Sequence, residues 1–276
     1  MSNKVWFITG ASKGLGLSLV KQLLNAGQQV AATSRKAEEL IQAVGHYSKN
    51  FLPLQVDLTN EVEVSAALDN TIQQFGRIDV VVNNAGYGIG GSVEELTDAE
   101  TRQAFDVNVF ATLNVIRHAM PYLRAQHAGH IINISSIAGL TGNTGWSIYA
   151  AAKFAIVGLS EVLAQDVRSM GIHVTVVAPG AFRTSFLTPE SLVLTTRPIE
   201  EYKEVRAMHE KYVQMDGTQA GDPEKAAAAM RAITEMQEPP VYLLLGEDAY
   251  ERAFQKIEKM SEAFKQMETV TKSTAF

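Results

Sequence analysis

The chain has 276 residues, enough for one large domain or two small ones. It carries 24 Lys+Arg against 30 Asp+Glu, a net charge of 24 − 30 = −6, which argues against a nucleic-acid partner. Cysteine is absent, which excludes disulfides and thiol catalysis. The six histidines (His46, His118, His127, His130, His173, His209) lack metal-ligand spacing, so no metal is expected. The longest N-terminal apolar run, Val5 to Ile8, is too short for a signal peptide or membrane span, and the expectation is a cytoplasmic protein. Asn133-Ile-Ser135 matches a glycosylation sequon, but it lies in an apolar strand pattern and is discounted.

In chain order, Lys4 to Thr9 reads as a strand, followed by a glycine-rich turn and a helix over Leu17 to Ala26. Further strands are expected at Gln29 to Thr33, Phe51 to Val56, Ile78 to Val82, His130 to Ile134, Ile172 to Ala178 and Val241 to Leu245. A helix runs from Asn60 to Phe75 with Thr59 or Asn60 as cap, and a long helical stretch covers Asp98 to Gln126 with a break near Asn108. The Ala/Leu-rich stretch from Tyr149 to Met170 is another helix. Strands alternate with helices, and the strands are near-continuous apolar runs. That is the pattern of an α/β, Rossmann-type doubly wound parallel sheet of seven strands with helices on both faces. No linker or repeat divides it, so one domain spans residues 1–276. From 181 to 221 the pattern is irregular, as in a substrate loop. Asp222 then caps a helix with Pro223 at its first position, and 247–276 is a charged, amphipathic C-terminal extension.

The turn Gly10-Ala-Ser12-Lys13-Gly14-Leu15-Gly16 stands between a strand and a helix. Glycine lets the backbone approach a pyrophosphate, which then sits on the helix N-terminus. These seven positions, Ala11 apart, are candidate dinucleotide contacts. After the second strand, an NAD-selective site places an acid for the ribose 2′-hydroxyl. Here the chain reads Thr33-Ser34-Arg35-Lys36. Ser34 is small, Arg35 can fork onto a 2′-phosphate, and Lys13 adds a second cation, so NADP(H) is favoured over NAD(H). The plainer reading leaves Arg35 and Lys36 as solvated charges. Asp57, before Leu58, is placed to accept from an adenine amino group, or simply to complement a helix dipole. Asn83-Asn84-Ala85-Gly86 ends the fourth strand, where small and amide residues allow close cofactor packing or make a turn.

Tyr149 and Lys153 are i and i+4, on one face of a helix. A phenol with a pKa of about 10 is a poor base at neutral pH. A neighbouring ammonium would lower that value and make Tyr149 a proton carrier for an alcohol oxygen, with Ser136 as a second hydrogen-bond partner. Alone, the pair also describes an ordinary helix with a snorkelling lysine.

In order, Thr9-Gly-x3-Gly-x-Gly16, Asn83-Asn-Ala-Gly86, Asn108, Ser136, Tyr149-x3-Lys153 and Pro179-Gly-x3-Thr184 resemble the short-chain dehydrogenase/reductase family, in its single-domain, NADP-preferring branch. The resemblance covers roughly Lys4 to Leu245, and the end of the chain resembles a bacterial subgroup of generic oxidoreductases. It implies that Tyr149 is the acid in ketone reduction and the base in alcohol oxidation. It further implies that Lys153 lowers the Tyr149 pKa and bonds the nicotinamide ribose, and that Ser136 holds the substrate oxygen. Asn108 would hold a water that links Lys153 to solvent. Pro179, Gly180, Phe182 and Thr184 would join the cofactor site beside the nicotinamide. It also implies a homodimer or homotetramer packed through the long helix and the Tyr149 helix.

The 181–221 segment is rich in Phe186, Leu187, Leu192, Met208 and Tyr212, and with Trp146, Tyr87 and Ile89 it suggests an apolar pocket. The expected substrate is a hydrophobic ketone or alcohol, with no nucleic-acid or membrane partner. The alternatives are a 3-oxoacyl-acyl-carrier-protein reductase, a non-catalytic NADP-binding regulator, and a sugar-nucleotide epimerase or dehydratase. Glycine spacing and chain length count against the last.

Overall fold

The computed structural model describes residues 3–45 and 48–276, so His46 lies outside the described residues. In chain order its elements are β1 (Val5–Ile8), α1 (Gly14–Asn25), β2 (Gln29–Ser34), α2 (Ala37–Val44), β3 (Phe51–Gln55), α3 (Glu61–Phe75), β4 (Val80–Asn83) and β5 (Gly88–Gly90). Next come α4 (Asp98–Phe105), α5 (Ala111–Gln126), β6 (Gly129–Ile134), α6 (Ser147–Val167), β7 (Ile172–Pro179), β8 (Leu192–Leu194), α7 (Lys203–Gln214) and α8 (Pro223–Ile233). The chain closes with β9 (Tyr242–Leu245), α9 (Glu247–Gln266) and α10 (Glu268–Lys272).

Seven parallel strands form one sheet in the order β3-β2-β1-β4-β6-β7-β9. The winding direction reverses between β1 and β4. Ligands of doubly wound sheets bind beyond the strand ends at such a reversal. Successive residues of a strand face opposite sides of a sheet. Trp6 and Ile8 accordingly pack with Leu19 and Leu23 of α1 and Met230 and Ile233 of α8. Phe7, between them, packs with Val64 and Leu68 of α3 and Val115 and Leu123 of α5. Both faces of the sheet are therefore dry.

The helix boundaries follow from their caps. Asn60 accepts from the Val62 and Glu63 N–H groups and starts α3. Thr97 and Glu100 form a reciprocal capping box on α4. Asp222 accepts the Glu224 N–H, with Pro223 opening α8. Between α4 and α5 the chain makes a π turn over Asp106–Phe110, which centres the expected break on Asn108.

One expectation needs correction. The 181–221 segment is not irregular throughout: it holds β8 and the twelve-residue α7. In addition, β5 and β8 pair as a small second sheet, which fixes that segment against the loop after β4. Ser147–Met170 is, among the described residues, the one helix long and apolar enough to cross a membrane. It is a core helix: Ile156 and Val157 pack on Val176 of β7.

A polar ladder runs through this apolar interior. The Asn83 amide donates to Asn133 Oδ1 at 2.8 Å, the Asn133 amide to Ser160 Oγ at 2.9 Å, and the Ser160 hydroxyl to Ile156 O at 2.6 Å. It ties β4 to β6 and both to α6, and the buried position of Asn133 agrees with discounting the sequon. Leaving a buried donor unpaired costs about 1–3 kcal/mol. Asn133→Ala should therefore lower the unfolding free energy by about 2–3 kcal/mol in urea denaturation. A midpoint equal to wild type would show that the ladder holds nothing together.

Candidate active site

The glycine turn after β1 lies against the end of β4. A Cβ on Gly10 would stand 2.7 Å from Ala85 Cα, and one on Gly16 would stand 2.5 Å from Asn84 Nδ2. Only glycine permits this approach. Asn84 braces the turn by donating to the carbonyls of Thr9 and Gly10, both at 2.9 Å, and the Thr9 hydroxyl accepts from the Asn84 and Ala85 N–H groups. Lys13, at the N-cap of α1, makes no side-chain cap hydrogen bond. The first N–H groups of that helix are therefore a ready anion cradle. Leu15, in the first turn of α1, packs against the core.

Ser12, Lys13, Ser34, Arg35 and Lys36 line one cavity of about 540 Å³, together with Glu39 and Glu190. Arg35 and Lys36 are exposed and Ser34 is buried. Lys36 is paired with Glu39 at 2.7 Å. Asp57 is drawn below the ordinary carboxylate range, chiefly by the Thr59 hydroxyl and N–H. Its Oδ1 thus closes a local turn. Leu58 packs beside the core, and its carbonyl accepts from Asn114. After β7 the chain returns to the glycine turn: Thr184 comes within 3.6 Å of where a Gly14 Cβ would lie. Pro179 ends β7, and the Gly180 N–H donates to Leu245 O at 2.8 Å. Phe182 packs toward the core, its ring against Gly221.

The four remaining predicted residues converge beyond β4 and β6. Lys153 is buried on α6 and donates from Nζ to Ile134 O at 3.1 Å. Asn108 is buried in the π turn: its Oδ1 accepts the Tyr87 N–H at 3.2 Å and its amide donates to Ala104 O at 2.9 Å. Both reach Gly86, where a Cβ would stand 2.7 Å from Asn108 Oδ1 and 3.3 Å from Lys153 Nζ. Ser136 caps a short 3-10 turn by accepting the Ala138 N–H at 3.1 Å. Tyr149 is buried, with Lys153 Nζ 5.8 Å from its ring centroid.

One electrostatic expectation is overturned for the protein alone. Burial pushes the Tyr149 phenol well above its ordinary range, and only the hydrogen bond with Ser136 acts the other way. Burial also pulls Lys153 down to about 8. An i+4 spacing brings the ammonium within 5.8 Å of the ring centroid, but burial of the phenol is the largest influence on it.

Tyr149 belongs to an apolar cluster with Trp146, Ile89 and Leu192, joined by Tyr87, Phe186, Leu187, Leu194, Met208 and Tyr212. Val193 and Phe182, from the same segment, do not join it: Val193 is exposed and Phe182 packs against the other core cluster. A buried acid absent from the sequence reading, Glu95, anchors this wall. Its carboxylate accepts from Ile199 N–H at 2.9 Å and Ser92 N–H at 2.8 Å and pairs with Arg206, while its carbonyl accepts from Thr195 and Arg197. Burial acts to raise its pKa, but those hydrogen bonds outweigh it and hold it at about 2. The Ser92-x-x-Glu95 spacing, a capping-box pattern, was the available signal.

The model of the short chain dehydrogenase family matches residues 4–192. The oxidoreductase BOA17 of Botryotinia fuckeliana is 38% identical over 260 residues, 94% of each chain. A 3-ketodihydrosphingosine reductase of Bacteroides thetaiotaomicron is 36% identical over 246 residues, 89% of each chain. A solved short-chain dehydrogenase from Streptomyces avermitilis superposes over the whole of both chains with a TM-score of 0.93 at 34% identity.

The buried lysine has a measurable signature. Between about pH 8 and 10, unfolded Lys153 holds its proton while the folded residue has begun to lose it, so stability rises with pH there. Above pH 10 the unfolded phenol ionises before the buried Tyr149, and that term reverses the slope. The melting temperature of wild type minus that of Lys153→Met should therefore climb from pH 8 to pH 10. A difference flat across that window would contradict the burial of a charged lysine.

Proposed function

Because the chain belongs to the short-chain dehydrogenase/reductase family, and is thus an NAD(P)-dependent oxidoreductase of CH–OH and carbonyl groups, we propose that it reduces a hydrophobic ketone with NADPH and oxidises the corresponding alcohol in reverse. The observation that carries this reading is the placement of Tyr149, hydrogen-bonded with Ser136, inside an apolar wall of Trp146, Ile89, Leu192 and Phe186. Beyond those two hydroxyls the wall is mostly apolar and aromatic, Tyr87 and Tyr212 included. That suits one carbonyl oxygen on an apolar body. The Bacteroides relative, a 3-ketodihydrosphingosine reductase by name, supports a ketone.

The glycine turn fits a dinucleotide: Ala85, Asn84 and Asn108 bar a Cβ at Gly10, Gly16 and Gly86, so the backbone there stays bare. When bound, the dinucleotide supplies or accepts the hydride. The chain does the rest. Gly14 and the first turn of α1 hold the pyrophosphate, and Arg35 with Lys13 holds the 2′-phosphate. Pro179, Gly180 and Thr184 bound the nicotinamide end. As negative charge grows on the carbonyl oxygen, Ser136 and Tyr149 donate to it, and Tyr149 delivers the proton. Lys153 holds a ribose hydroxyl and favours the phenolate left behind, and Asn108 keeps the Gly86 turn open beside it. The NADP(H) preference rests on the missing acid after β2. Arg35, Lys13 and Lys36 all line that cavity, Lys36 in an exposed pair with Glu39. Assembly into a homodimer or homotetramer is supported by exposed Phe110, in the π turn that leads into α5, and exposed Phe154 and Val162 on α6.

Tyr149→Phe should lower kcat for a hydrophobic ketone by a factor of about 10²–10⁴ while the protein still binds NADPH. Turnover within threefold of wild type would refute the proton role. Arg35→Ala should raise the KM for NADPH about tenfold and leave that for NADH within twofold. Equal rates with both dinucleotides in wild type would refute the cofactor preference.

A further inference from the structure

The family match ends at residue 192, and α9 lies beyond it with no part in the roles above. Its first two turns nevertheless touch two connections that shape the cleft, the one after β7 and the one between β6 and α6. The Asp248 carboxylate accepts the Ala181 N–H at 2.9 Å, and it sits so close to Gly180 that a Cβ there would collide with it. Ala249 and Ala253 are buried against Ile137 and Leu140, the turn that follows Ser136. Arg252 donates to Thr141 O at 3.3 Å and to Asn143 Oδ1 at 3.2 Å.

The last contact continues inward. The Asn143 amide donates to the Tyr212 hydroxyl of α7 at 2.6 Å. The Tyr212 ring stands edge-on to Trp146, with centroids 5.0 Å apart, and Trp146 stands edge-on to Tyr149 at 6.3 Å. An unbroken line of contacts therefore runs from the C-terminal helix to the phenol. Chemistry favours these residues in these places. A guanidinium holds two acceptors in a fixed plane, which an ammonium does not. With its oxygen taken by Arg252, the Asn143 side chain can offer Tyr212 only its N–H. A glycine at 180 leaves room for the Asp248 carboxylate. Beyond residue 256 every side chain of the helix is exposed, so the contact is confined to its opening turns.

We propose that the opening of α9 is a clamp with two separable arms. Asp248 positions the 180–184 loop at the nicotinamide end. Arg252, acting through Asn143 and Tyr212, positions the Trp146 wall at the ketone end. Both are positioning residues rather than catalytic ones. The assignment of the ends rests on the ketone-reductase reading above, whereas the two arms themselves do not.

The test separates the arms. Arg252→Ala should raise the KM for a hydrophobic ketone about tenfold, with kcat and the Kd for NADPH within twofold of wild type. Asp248→Ala should do the converse, raising the Kd for NADPH about tenfold in a direct titration and sparing the ketone KM. Tyr212→Phe should reproduce Arg252→Ala, and the double variant should lose nothing more, since both break one line. Arg252→Lys should fail to rescue. Hydrogen exchange over residues 203–214 should quicken in Arg252→Ala and not in Asp248→Ala. Exchange and titration need no turnover, so they test the clamp even if wild type reduces no ketone, an outcome that sinks only the substrate reading. Both constants moving together in each variant, additive losses in the double variant, or unchanged exchange over 203–214 would overturn the proposal.

Discussion

A charged lysine buried beside a buried phenol is the constraint on which this structure turns. Among the described residues Lys153 donates to one acceptor, the Ile134 carbonyl at the end of β6, and burial lowers its pKa to about 8. The same burial pushes Tyr149 the other way. Neither group is comfortable, and a fold keeps such a pair only where the surroundings over-determine it. The surroundings do so here. The Asn83–Asn133–Ser160 ladder sets α6 on the sheet, and the π turn at Asn108 brings a second amide to the same spot.

Close approach is the second half of the design. The turns after β1 and β4 meet at distances that exclude side chains, and the Gly86 turn is backed by both Asn108 and Lys153. A ligand lying across these turns would contact backbone on one side and the two titratable groups on the other. Opposite it stands the aromatic wall, held by Glu95 from one flank and by α9 from the other. The site is thus built from three layers with different chemistry: a bare backbone cradle, a desolvated proton pair, and an apolar wall.

Much of this was legible in the sequence because it is local. Apolar runs and caps placed the seven strands, Asn60 and Asp222–Pro223, and the helical stretch 98–126 showed its break at Asn108. The remainder depends on contacts far apart in the chain. No local pattern shows that Gly88–Gly90 pairs with Leu192–Leu194, or that α7 lies within a stretch lacking strong periodicity. Glu95 carried a local signal, but its partners stand at 195–206. Arg252 reads as one charge among many on an amphipathic helix until Asn143 is found beside it. The Tyr149 pKa failed for a related reason: spacing reveals a neighbouring charge but not the solvent excluded from both groups.

In the proposed reaction Tyr149 carries the proton although burial opposes its ionisation in the free protein. A positive charge arriving beside it, from an oxidised nicotinamide, would have to offset that burial. The direct measurement is the pH titration of the phenolate ultraviolet absorbance, wild type minus Tyr149→Phe, with and without NADP⁺. The account predicts a Tyr149 transition above the ordinary phenol range in the free protein, displaced toward neutral pH when NADP⁺ is present. A transition that stays in place when NADP⁺ is added, or that lies in the ordinary range without it, would contradict the account.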